Sequence, residues 1–67
     1  MRLVQILGDN IEELYNVPDN IENEIIITAF QSYMEGDACE EYSFDEWWNY
    51  RNRKFLIERV FVDEIYV

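Results

Sequence analysis

A chain of 67 residues with one cysteine and no histidine has to hold itself together with apolar side chains. Small domains usually lean on disulfides, structural metals or association. Cys39 has no second cysteine to bridge to, and a zinc site of the Cys/His kind cannot be built from these residues. A fold of this size buries only about 60% of the surface its unfolded chain exposes, so the core is thin. The chain does have apolar material for it: 49% hydrophobic residues, including five Tyr, four Phe and two Trp. That content marks a folded single domain over residues 1–67, not a disordered acidic tail.

Charge is distributed unevenly. From Asp9 to Glu46 the chain carries twelve acids and no Lys or Arg, and the five bases are Arg2, Arg51, Arg53, Lys54 and Arg59. The net charge of −10 therefore resides almost wholly in one segment. Self-repulsion of this size works against the compact state while favouring solubility. It makes free nucleic acid and anionic membranes poor partners and basic proteins natural ones.

Residues 2–7 are dense in Leu, Val and Ile and predict a first strand, ending at the turn signal Gly8-Asp9-Asn10. Ile11, Leu14 and Tyr15 recur at helical spacing and predict one short helical turn, closed by Val17-Pro18. Asp19-Asn20-Ile21-Glu22 has the form of a capping box. Behind it Ile26, Ala29, Phe30, Tyr33 and Met34 share one helical face. With Gly36 as a stop, they predict a helix over 19–35, although Ile25-Ile26-Ile27-Thr28 would locally suit a strand. Residues 37–42 read as an acidic loop. Ser43-Phe44-Asp45-Glu46 is a second capping box. It opens a helix expected over 44–54, acidic in its first turn and basic at its end, as the helix dipole favours. Residues 55–67, rich in Val, Ile, Phe and Tyr, read as a strand bent near Asp63-Glu64.

The expected fold is α+β: a small single domain in β-α-α-β order, with a short two-stranded sheet packed on two helices. Two strands make a marginal sheet. Either the terminal strands pair, or a second copy of the chain completes the sheet. In such a homodimer the C-terminal strand would offer its edge, at Ile65 and Tyr66.

The residues argue against an enzyme. There is no histidine for general base work, Ser43 is explained as a helix cap, and no Gly-rich phosphate loop exists. Cys39 lies among Asp37, Glu40 and Glu41, a poor setting for a thiolate nucleophile. Calcium loops need alternating oxygen ligands around a central glycine, and neither residues 9–13 nor 37–41 have that spacing. No metal and no cofactor is expected.

Two binding constellations remain. Phe44, Trp47 and Trp48 stand at i, i+3, i+4 and are most simply core. Adjacent helical positions point about 100° apart, so the two tryptophans cannot be equally buried. With Tyr50 and Arg51 one turn on, an exposed tryptophan would make a binding hot spot, for which Trp47, Trp48 and Tyr50 are the candidates. The second constellation is the acidic block: Asp9, Glu12, Glu13, Asp19, Glu22, Glu24, Glu35, Asp37, Glu40, Glu41, Asp45 and Glu46. B-DNA carries a phosphate charge every ~1.7 Å of its axis, and carboxylates displayed along a fold can present a comparable surface. In size, charge and aromatic content the chain resembles small acidic inhibitors that bacteriophages and mobile elements encode against host defence or nucleic-acid machinery. The resemblance implies docking on a basic, nucleic-acid-binding site of a host protein as a DNA or RNA mimic. The alternative is a small structural or assembly protein that self-associates through its C-terminal strand and aromatic patch.

Residues 1–7 carry one positive charge and a short apolar run, and the apolar stretch 25–30 is interrupted by Thr28. A membrane span takes about 20 apolar residues, and a lone cysteine suits a reducing interior. Neither a leader nor a membrane segment is expected, and the location expected is the cytoplasm.

Overall fold

A computed structural model describes residues 1–61 as one sheet with helices on one face. The elements in chain order are β1 (Arg2–Gly8), β2 (Ile11–Val17), α1 (Asn23–Glu35), α2 (Ala38–Glu41), α3 (Phe44–Arg51) and β3 (Glu58–Val60). The sheet is antiparallel in the order β1-β2-β3. The α+β class expected from the sequence holds, but among the described residues the sheet has three strands, with β2 at its centre, and β1 and β3 do not pair with each other.

The added strand is residues 11–17, where helical spacing predicts a helical turn. The chain reverses at Asp9-Asn10, which sets Gly8 opposite Ile11 and fixes the register through to Arg2 opposite Val17. Asn10 takes φ 61°, a left-handed conformation that asparagine tolerates well. Side chains then alternate: Ile11, Glu13, Tyr15 and Val17 face inward with Val4 and Ile6 of β1, and Glu12, Leu14 and Asn16 face outward.

The helix α1 begins at Asn23, four residues later than the sequence suggests. Asp19 accepts from the Met1 amine at 3.2 Å instead of capping the helix, and Glu22 occupies the cap position without a side-chain cap bond. A turn holds residues 18–21, with the Ile21 N–H on the Pro18 carbonyl at 3.1 Å. Arg2 clamps that turn. Its guanidinium donates to the carbonyls of Pro18 and Ile21 and to Asn23 Oδ1, tying the start of β1 to the entry of α1.

Ser43 holds the cap position of α3 in backbone conformation, as its sequence indicates, but its oxygen accepts no bond from the helix backbone; the hydroxyl shares its one proton between Asp45 Oδ1 (2.6 Å) and Glu46 Oε1 (2.9 Å). The helix ends at Arg51, so Arg53 and Lys54 lie in the following turn. Asn49 on α3 both donates to the Ile57 carbonyl (2.9 Å) and accepts from the Ile57 N–H (2.8 Å), standing in for a strand neighbour just before β3. The expected acidic loop contains the one-turn helix α2. The C-terminal strand extends only over 58–60 within the described residues. The expected bend at Asp63-Glu64 and the contacts at Ile65 and Tyr66 lie outside them.

The core is aromatic, and Phe44 is its centre. Its ring meets Tyr15 edge-on at 5.4 Å between centroids, Phe30 at 5.0 Å, Tyr33 at 5.5 Å, Trp47 at 6.0 Å and Trp48 at 6.2 Å. Each well-oriented aromatic pair adds about 0.5–1.5 kcal/mol beyond burial. Sheet, α1 and α3 therefore converge on one side chain. Phe44→Ala should cost about 3–5 kcal/mol, much of the total stability of a domain this small. A thermal melt followed by tryptophan fluorescence should show little or no cooperative transition; a melting temperature within a few degrees of the parent would contradict this role.

Candidate functional site

The direction of each element decides where the acids gather. Arg2 binds Asn23, so α1 starts at the open end of the hairpin. Gly8 and Ile11 line a groove with Met34, so α1 ends beside the hairpin tip. The next chain reversal, α2, follows there, and the Tyr33 hydroxyl on α1 donates to the Tyr42 carbonyl just ahead of α3. The helix α3 then runs back to Ile57, which precedes the pairing of Glu58 with Asn16. One end of the molecule thus carries Asp9 and Glu12 from the hairpin, Glu35 and Asp37 from the end of α1, Glu40 and Glu41 from α2, and Asp45 and Glu46 from the start of α3. The turn with Arg53 and Lys54 follows the far end of α3.

These acids are not equivalent. Glu13 faces the helices, accepts from the Tyr15 hydroxyl and pairs with Arg59 at 3.5 Å, so its carboxylate is committed to the fold. Asp19 is held by the terminal amine, and Glu12 accepts from the Gln5 amide at 3.2 Å. Glu24, Asp45 and Glu46 sit in first helical turns, where the dipole favours them. Asp45 and Glu46 also hold Ser43. Asp37 holds the N-cap position of α2, with Glu40 and Glu41 in its single turn, whereas Glu35 has the opposite setting, at the negative end of α1 with no basic residue in its last turn. An acid there costs about 0.3–1 kcal/mol. Glu35, Asp37, Glu40 and Glu41 are exposed and take part in no ion pair among the described residues. Among the described residues no three Cys, Asp or Glu side chains converge as a metal site would require.

The structure separates the two tryptophans. Trp48 is buried and its indole N–H donates to the Phe55 carbonyl at 2.7 Å, so it belongs to the core and not to a contact surface. Trp47 is half-buried and floors a cleft of about 480 Å³ with Ala38, between Tyr42, Glu46, Tyr50 and Arg51. The Arg51 guanidinium lies 4.5 Å from the Trp47 ring centroid, within cation–π range. Tyr50 is 76% exposed and Tyr42 is 52% exposed. Tyr42 has no helical spacing to the tryptophans, so nothing in the sequence pattern singled it out; its place follows from the turn between α2 and α3. Cys39 is half-buried, and its thiol donates to the Gly36 carbonyl at 3.4 Å, which gives it a role at the end of α1.

Two phenols sit beneath the acidic end. Burial pushes the Tyr15 hydroxyl well above the usual tyrosine range, reinforced by its hydrogen bond to Glu13 and by that carboxylate's charge, and opposed by Arg59. Tyr33 is raised by burial first, then by the negative charge of neighbouring groups. No protein-family model, curated protein or solved structure matches the chain.

A raised phenol favours the folded state as long as both states keep the proton. Above about pH 10 the unfolded chain releases protons that Tyr15 and Tyr33 retain. Stability should therefore be level with respect to these groups below about pH 10 and fall as pH rises beyond it. In an alkaline titration, part of the phenolate absorbance should appear only together with loss of the helical circular-dichroism signal. Complete tyrosine ionisation with the fold intact would contradict the burial of these two hydroxyls.

Proposed function

We propose that the protein is a small acidic binding module that docks its carboxylate end on a basic, nucleic-acid-binding site of another protein and occupies it as a mimic of DNA or RNA. The supporting observation is the set Glu35, Asp37, Glu40 and Glu41. They are exposed and take part in no ion pair among the described residues, and Glu35 lies where a helix end disfavours it. No ion pair among the described residues engages them, and recognition of a cationic surface would. The neighbouring cleft supplies what charge lacks. Tyr42, Trp47 and Tyr50 offer aromatic area beside Glu46, the kind of surface on which binding energy concentrates. On this reading the carboxylates govern the rate of encounter and the aromatic cleft governs residence. The source would be a phage or mobile element and the target a host protein in the cytoplasm.

The test is capture from a host lysate on immobilised protein at low salt, with elution by stepped salt and by added duplex DNA or RNA. A basic nucleic-acid-binding protein should be retained and should leave with either eluent. The combined change Glu35→Gln, Asp37→Asn, Glu40→Gln and Glu41→Gln should slow its association roughly tenfold or more at low salt. The same variant should melt at the same or a higher temperature, since it relieves repulsion. Retention that is indifferent to nucleic acid and to these four changes would overturn the proposal.

A further inference from the structure

We infer that β1 is a self-pairing edge, through which two copies of the chain join into one continuous six-stranded antiparallel sheet. This goes beyond the acidic docking proposed above and does not depend on it. Among the described residues β1 has a strand neighbour on one side only. Natural edge strands are usually blunted by central charges, proline, a bulge or short length. The run Arg2–Gly8 is seven residues long with none of these inside it. Its only charge, Arg2, is turned onto the Pro18–Asn23 segment.

Three observations select a second copy as the occupant. First, the strand is chemically palindromic about Gln5. Antiparallel pairing centred there sets Leu3 against Leu7 of the second copy, Val4 against Ile6, and Gln5 against Gln5. A two-fold interface requires such self-complementarity. Second, Leu3 and Leu7 are 63% and 69% exposed, and the flank of α1 above the same edge leaves Ile27 50% and Met34 43% exposed. Ile27 and Met34 line an apolar groove with Ile6, Leu7 and Ile11. Edge pairing would bring the two α1 flanks together over one face of the joined strands and set Leu3 beside Leu7 of the second copy on the other, so one operation adds apolar contact to both sets. Third, antiparallel pairing sends the two hairpin tips, and with them the two acidic ends, to opposite ends of the joined sheet. A chain of net charge −10 can meet its own copy there with least repulsion.

The strand is about 24 Å long at ~3.4 Å per residue, which makes a small interface. A dimer dissociating in the range of roughly 10 µM to 1 mM is expected. Because the copies repel at long range, the dimer should tighten as salt is added, opposite to docking on a basic protein. The test is sedimentation equilibrium up to roughly 1 mM protein at low and high salt. Gln5→Glu, at an exposed position beside Glu12, sets two like charges across the axis, adds to the net negative charge and should weaken the dimer roughly tenfold or more. Ile27→Lys, on a different element, should do the same, with circular dichroism confirming that both variants fold. A monomer throughout, or a dimer that neither change weakens, would overturn the inference.

Discussion

The fold depends on the ring of Phe44. It is the first residue of α3, and from that position it reaches Tyr15 on the central strand and Phe30 and Tyr33 on α1. With one cysteine the chain can close no disulfide within itself, and this cluster is what joins the helices to the sheet. The polar links reinforce it at both ends. Arg2 ties β1 to the entry of α1, and Asn49 ties α3 to the chain entering β3. The path of every element past Phe44 then fixes which acids meet at the hairpin-tip end.

That geometry gives the acidic residues two different meanings. Some serve the fold: Glu13 balances Arg59 and the Tyr15 hydroxyl inside the sheet, and Asp45 and Glu46 hold Ser43 at a favourable helix end. Glu35 works against it, since it adds negative charge where α1 already ends negatively. Charge retained at a cost to stability calls for another explanation, and docking on a basic surface supplies one. The half-open cleft around Trp47 stands beside this charge, with Glu46 in its wall.

Much of this was legible in the residues. The first strand, the body of α1, the start of α3 and the α+β class follow from apolar periodicity and punctuation. The strand β2 did not, because Glu13 occupies an inward position and breaks the apolar alternation that would have revealed it. Only the tertiary neighbour Arg59 makes that carboxylate acceptable there. Ile11, Leu14 and Tyr15 also fit helical spacing by coincidence, while the Gly8-Asp9-Asn10 signal was a hairpin turn. Asp19 looked like a cap because its amine partner is distant in sequence. The spacing of Phe44, Trp47 and Trp48 required unequal tryptophans, but only packing against the loop at Phe55 decides that Trp48 is the buried one. The acidic block was evident from composition. Its division into fold-serving and exposed carboxylates was not, because that depends on where each element ends.

That the acidic end opposes folding, and serves recognition instead, is our proposal. Its most direct test is the melting temperature of dilute protein as sodium chloride is raised to roughly half molar, where exposed charges are largely screened. A steady rise is expected, because screening relieves repulsion that the fold has to overcome. A melting temperature that falls with salt would show that the carboxylates are held in stabilising pairs, and would contradict the claim.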